Sequence, residues 1–441
     1  MFNLKSKLFA GLAALVCATA ALAQDSGPLI DLLVKKGIIN DQEGEDLRAE
    51  LAKDFSATPA GKLNISAPTS EFRISGDVRI RFEDRSGEVA GDDLGRQRLR
   101  YRLRAGLAGK MVNNWNWGVR LETATGSRSS NVTMGDDAAG PFAKNSDGIF
   151  VGQAFLQYTP TPEWAFTAGR MANPLITNAM VWDADINPEG FAESYKHRAG
   201  KAEFGVTFAQ FLYNAANTQK LIGVIQDVED LGLFAYQGSF RYYTTEGVTS
   251  YFQVAPVFYQ YVNESGQANP VPFRGNFSPT NAFGINNLFV LDIPFEYNWL
   301  INGVAARAYG DFAINFDAEA RARKFGTPAL DGEDKAWLVG FQYGKATNKG
   351  EWDARIAYQS VGAFALDPNL VDSDVFDSRV NMKGFVVGVN YALGAATQVA
   401  LTYANGDRVE ESIIAPGAGD IGANNKLDNY QMLQLDLNVK F

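Results

Sequence analysis

Arg98, Arg100, Arg102 and Arg104 occupy alternate positions, interleaved with Leu99, Tyr101, Leu103 and Ala105. In a β-strand this spacing gathers the guanidinium groups on one face and the apolar side chains on the other. The preceding segment repeats the pattern, with Arg73, Asp77, Arg79, Arg81 and Glu83 opposite Phe72, Ile74, Val78, Ile80 and Phe82. Arg120 and Glu122 continue it on a third segment. Such an array is a fixed positive wall that steers anions. If Asp77, Glu83 and Glu122 pair with it, it does no more than solvate the inside of a wide cavity.

Acid–base and metal chemistry find less support. The one histidine, His197, lies between cations in Tyr195-Lys196-His197-Arg198, where a solvated turn residue is expected. A hydrolytic base would need a carboxylate or serine beside it. The one cysteine, Cys17, falls in a segment expected to be cleaved off, which leaves no thiol for disulfides or metals. The pairs Asp136/Asp137 and Asp183/Asp185 have ligand types suited to Ca²⁺, but acidic surface turns are commoner. No enzymatic activity, no cofactor and no metal centre are therefore expected. A net charge of −10 argues against a nucleic-acid partner.

The elements that must hold the arginines form a long series of amphipathic strands. They are expected near 72–83, 97–109, 114–125, 149–159, 163–170, 190–196, 200–213 and 230–243. Further strands are expected near 248–262, 285–299, 302–318, 335–346, 351–360, 382–393, 396–406 and 429–441. Short connections (110–113, 160–162, 197–199, 244–247, 300–301, 347–350, 394–395) alternate with long polar ones (126–148, 214–229, 263–284, 361–381, 407–427). That parity is the pattern of an all-β, transmembrane antiparallel barrel of about sixteen strands, and a soluble sandwich has no reason to show it. Charged side chains facing lipid at mid-depth cost roughly 2–4 kcal/mol each, so the arginines must face the lumen.

Across such a barrel the second strand faces roughly the tenth. There the inward set reads Asp292, Glu296 and Asn298, followed by Arg307, Asp311, Asn315 and Asp317, then Asp353 and Arg355. A basic wall opposite a mainly acidic one would set a transverse field across the pore. Trp115, Trp117, Trp164 and Trp352 follow short turns and Trp299 precedes one, the distribution of an aromatic girdle at one membrane boundary. Tyr and Phe fall mostly on the lipid face in this register, which counts against a sugar-stacking track.

The ends agree. Lys5 and Lys7 before an apolar run to Leu22, then Ala21-Leu22-Ala23, read as a secretory signal over residues 1–23. Residues 24–55 carry two short helical stripes, the second opened by Asn40 and Glu43 as a capping box. Residues 56–70 read as a linker, and the barrel occupies 71–441. Leu433 to Phe441 alternates apolar and polar and stops on an aromatic, leaving an edge that the first strand must close.

The third long connection, Met171 to Gly190, is less polar than its siblings and is fixed by two Asn-Pro turns. Ala168-Gly169-Arg170, Asn173-Pro174 and the run Val181-Trp182-Asp183-Ala184-Asp185-Ile186-Asn187-Pro188-Glu189-Gly190 resemble the outer-membrane porin family of Gram-negative bacteria. So does the Leu29–Leu51 segment with Val34-Lys35-Lys36-Gly37-Ile38-Ile39. The resemblance covers essentially the chain after the signal. It implies a passive channel, a third loop that narrows the lumen through Asn173, Trp182, Asp183, Asp185 and Glu189, and a homotrimer. It is more distant from phosphate-selective porins, whose lysine-rich lumen is missing here.

The expectation is an outer-membrane diffusion channel for small hydrophilic solutes or ions. Its lumen would be lined by Arg73, Arg79, Arg81, Arg98, Arg100, Arg102, Arg104, Arg120, Asp292, Glu296 and Asp311. Its partners would be outer-membrane lipid and the barrel assembly machinery, which reads the C-terminal strand. The alternative is a surface-binding barrel working through its long loops.

Overall fold

A computed structural model describes residues 33–36, 42–48, 68–89, 91–124, 129–136, 148–214, 219–221, 224–226, 230–244, 249–262, 287–413, 421 and 427–441. The expected signal, Asn40 of the capping box and most of the linker lie outside these. The chain divides into two compact units, Met1–Ser66 and Ala67–Phe441. In the first, 33–35 and 42–48 are helical. Among the described residues no helix is long and apolar enough to cross a membrane.

The second unit is a closed antiparallel barrel of sixteen strands. The strands are β1 (Thr69–Val89), β2 (Asp92–Met111), β3 (Trp115–Ala124), β4 (Gly148–Tyr158), β5 (Trp164–Arg170), β6 (Glu189–Ala199), β7 (Ala202–Asn214) and β8 (Leu231–Tyr243). There follow β9 (Tyr251–Val254 with Val257–Val262), β10 (Phe289–Asp292 with Phe295–Ile301), β11 (Val304–Asn315), β12 (Lys335–Gly344) and β13 (Trp352–Val361). The series ends with β14 (Met382–Ala392), β15 (Thr397–Arg408) and β16 (Asn429–Lys440). β9 and β10 are broken at Pro256 and Pro294, where a ladder N–H is missing.

β1 closes the barrel against β16 from Asp77↔Lys440 to Glu88↔Asn429, and Gly76 and Phe441 exchange both backbone bonds (2.8 and 3.1 Å). Connections alternate short and long as expected, with one difference. β1 and β2 run on to Val89 and Asp92, which pair in the ladder, so the first hairpin's connection is among the short ones. A two-residue strand, Val132–Thr133, adds to β2 at Tyr101 and Arg100.

The outer face carries exposed Ile74, Leu103, Leu156, Phe204, Val339, Ile356 and Leu401. At the short-turn end Trp115 packs on Tyr158, Trp164 on Tyr195, Trp299 on Tyr297 and Trp352 on Tyr343.

The apolar core is inside. Inward residues of β7 to β13, among them Phe211, Leu233, Tyr259, Val290 and Leu338, are buried against two loops folded into the lumen. One loop, residues 171–188, contributes Met171, Leu175, Met180, Val181 and Trp182. The other, residues 362–381, contributes Phe364, Leu366, Leu370, Val371 and Val380. The first loop leaves and rejoins the wall at Gly169 and Gly190, which face each other in the ladder with φ of 116° and 148°. An L side chain rarely adopts that conformation, and a Cβ at either position would also meet a neighbouring carbonyl.

Candidate functional site

The arginines of β1 and β2 share the lumen face, since Ile74, Val78, Leu99, Leu103 and Leu107 on the opposite face are exposed outward. Their surroundings are more crowded than the sequence pattern indicates. Glu83 is buried and takes contacts from Arg81 (3.8 Å), Arg85 (3.2 Å), Arg98 and Arg100 (3.6 Å), with Gln434 donating at 2.9 Å. Asp77 accepts from Arg102 (2.7 Å) and Arg104 (2.6 Å). Asp436 on the closing strand β16 accepts two bonds from Arg81 at 2.7 and 2.9 Å. Arg120 pairs with Glu122 at 2.9 Å. Arg73 is exposed near the short-turn end.

The 362–381 loop crosses the lumen to reach this wall. At one side Asp367 accepts from Tyr213 of β7 (2.7 Å) and Tyr261 of β9 (2.8 Å). At the other, Asp374 lies 2.8 Å from Arg81 and 3.9 Å from Arg79. Asp377 lies 3.1 Å from Arg85 and 3.3 Å from Arg379. Phe376, Asp377 and Ser378 are consecutive left-handed residues with φ of 54°, 55° and 55°, a costly backbone for non-glycine side chains. All three are buried, so the surrounding contacts fix the turn. Arg81 and its neighbours hold the Asp374 carboxyl far below the usual carboxylate range.

The two loops are joined by Asp183. Its Oδ2 accepts from the Ser373 amide (3.0 Å) and hydroxyl (2.8 Å), and its own amide donates to the Leu370 carbonyl (2.6 Å). Burial, and after it the charge of Asp185, pushes the Asp183 carboxyl up to about 6. Asp372 is pushed well up for the same reasons, burial and then Asp183. Asp185 approaches Arg104 (3.5 Å) and Arg102 (3.8 Å) and accepts from Ser130 at 3.2 Å.

The remaining expected loop residues are placed unequally. Asn173 caps its own turn, accepting from the Leu175 amide at 3.0 Å. Trp182 is in the apolar core against Phe211 and Tyr259 and donates to the Ile186 carbonyl. Glu189 departs from expectation. It pairs with Arg170 at 2.6 Å on the outer face, because alternation in β6 sends it the same way as exposed Phe191.

The opposite wall also differs from the expected acidic surface. Glu296 pairs with Arg307 at 2.7 Å, while Asp292 and Asp311 are covered by the 171–188 loop, with Asn178 donating to Asp311. Tyr213, Tyr243, Tyr251, Tyr259, Tyr261 and Tyr309 lie on the lumen side, more aromatic than the sequence register led us to expect. The residues missed by sequence reasoning are those of the 362–381 loop and Asp436. A signal was present, since Ala363-Phe364-Ala365-Leu366 and Leu370-Val371 are too apolar for a water-exposed loop.

A model of the family described as "Putative porin" matches residues 86–286 and 287–441. No curated protein matches. Among solved structures, the chain is similar to an anion-selective porin from Comamonas acidovorans (11% identity, 84% of this chain and 99% of that one, TM-score 0.47). It is also similar to an OmpF from Salmonella typhi in complex with daunomycin (11% identity, 86% and 100%, TM-score 0.46). A porin mutant from Rh. blastica aligns at 9% identity over 84% and 100%, with a TM-score of 0.42.

Proposed function

The chain belongs to this porin family, and from that we propose a passive outer-membrane channel for small hydrophilic solutes or ions, whose narrowest passage runs beside the arginine wall. One observation carries the location. Two inward loops bury the lumen side of β7 to β13 in apolar contacts, while Arg79, Arg104, Arg120, Asp185 and Asp374 stay half-buried around what is left. Selectivity should be weak. Arg79, Arg81, Arg85, Arg98, Arg100, Arg102, Arg104 and Arg120 meet Asp77, Glu83, Glu122, Asp185, Asp374, Asp377 and Asp436 within salt-bridge distance, which leaves little net field for a solute.

Reversal potentials in a planar bilayer under a salt gradient test this. The expected anion-to-cation permeability ratio is close to unity, and Arg100→Ser with Arg102→Ser should move it toward cations. An unchanged ratio would remove those arginines from the passage, and no conductance from folded protein would overturn the channel. The surface-binding reading is favoured by the loop core that fills part of the lumen, and the same null conductance would select it. We further assign the C-terminal strand to recognition by the assembly machinery, and place the contact of a homotrimer on the outer face of β5 to β7.

A further inference from the structure

Behind the 171–188 loop, buried oxygens from three strands and the loop converge without enough protons to pair them. Asp292 of β10 is fully buried (0% exposed), and neither carboxylate oxygen makes a well-formed hydrogen bond, though the Asp311 carboxyl and the Ile293 amide approach it. Asp311 of β11 lies beside it, with Oδ1 likewise lacking a well-formed bond and Oδ2 taking the Asn178 amide. The hydroxyls of Tyr259 (3% exposed) and Thr177 face the same space and make no well-formed hydrogen bond, though they approach each other. The register explains the convergence. Tyr259 stands opposite Val290 and Val257 opposite Asp292, so the phenol and the carboxylate are neighbours on one face. The groups acting on Asp292 are Asp311 and the Ile293 amide, with no guanidinium or ammonium among them.

Two adjacent carboxyl groups in a dry site, with hydroxyl oxygens turned toward them, need a positive charge between them. We propose that Asp292, Asp311, Tyr259 and Thr177 bind one hard divalent cation, Ca²⁺, which pins the 171–188 loop to the barrel wall. The ligands are all oxygens, two of them carboxylates. They suit the adaptable oxygen coordination of Ca²⁺ better than Mg²⁺, which keeps its waters and would not enter a closed apolar pocket. Asn178 supports the site by orienting Asp311 while its own Oδ1 accepts from the Met180 amide at 2.9 Å.

The test uses folded full-length barrel in detergent. Purified without chelator, it should hold about one calcium per chain by elemental analysis, following the single-site charge balance. Refolding in chelator should lower its unfolding temperature by roughly 5–10 °C, restored by added Ca²⁺. Tb³⁺ should bind in place of Ca²⁺ and emit when excited through Tyr259 and Trp182, whose ring centroids are 6.3 Å apart. Asp292→Asn with Asp311→Asn should abolish both calcium and emission. Should that variant not fold, Tyr259→Phe and Thr177→Val each remove one neutral oxygen and should weaken binding about tenfold. Wild-type protein free of calcium, with an unfolding temperature insensitive to Ca²⁺ and chelator, would overturn the proposal and leave a shared proton between the aspartates. Terbium emission undiminished in the substituted proteins would overturn it equally, by placing the ion elsewhere.

Discussion

Asp183 shows how one side chain can couple two loops to pH. Its carboxyl is pushed up to about 6 from 3.8, so the folded state binds a proton that the unfolded state has already released. The sign follows directly. The stability linked to this group is fully present below the unfolded value and is lost as pH rises through about 6. Asp374 stays charged throughout that window because Arg81 and Arg79 hold it far lower. The packing of the two loops around Asp183, flanked by Asp185, Asp372 and Asp374, should therefore be more stable at pH 5 than at pH 7.5, although the Ser373 bonds taken alone favour the carboxylate. Single-channel recordings should show fewer brief current fluctuations at the lower pH, with a midpoint near 6, and Asp183→Asn should flatten the dependence. More fluctuation at low pH, or a profile unchanged by the substitution, would assign the clasp to other groups. Asp183 itself was legible as a loop residue from its motif. Its partner was not, because Ser373 lies 190 positions away and only the closed barrel brings the two together.

At the scale of elements, the strands were the readable part. All sixteen were expected, and all but β1 and β2, which run further into their hairpin, within a few residues, because a lipid-facing side chain and a lumen-facing one must alternate at every step. The arginine face of β1 and β2 followed from the same alternation. Its partners did not, since Asp374, Asp377 and Asp436 carry no local pattern that points to an arginine. The 362–381 loop has the length and acidic residues of an ordinary polar connection, although its apolar residues need a core. That loop is now the element most able to limit flow. It is anchored by tyrosines at Asp367 and by arginines at Asp374 and Asp377, so it spans the lumen from β7 and β9 to β1. Replacing 363–380 by a short glycine–serine link should raise single-channel conductance roughly twofold or more, as the passage widens toward that of an open barrel. The strands should still close, since β1 pairs with β16 through its own ladder. Unchanged conductance in a folded variant would show that the 171–188 loop alone sets the constriction.

For the whole molecule, the outer surface should be uniformly apolar at mid-depth, and over most of the barrel it is. The exception lies on β5 to β7. Arg170, Glu189 and Glu193 point outward there, by the alternation that also sends Phe166, Phe191 and Val206 outward. Glu193 pairs in the ladder with Phe166 and Phe208, and its Oε2 is covered by protein without a hydrogen-bond partner. A carboxylate cannot keep that position against lipid at no cost, and β5, only seven residues long, offers a low wall there. A second copy of the chain covering this face would supply the missing donors and seal the short wall, which is the reason for assigning the proposed homotrimer contact to β5 to β7. Nitroxide spin labels distinguish the two surroundings, because oxygen concentrates in lipid and is excluded from packed protein. A label at Glu193→Cys should show low oxygen accessibility in the assembled protein, and one at Ile356→Cys on β13 should show high accessibility. Disrupting the oligomer should raise the first value to meet the second. If the two sites are equally accessible before disruption, Glu193 faces lipid and the contact between subunits lies on other strands.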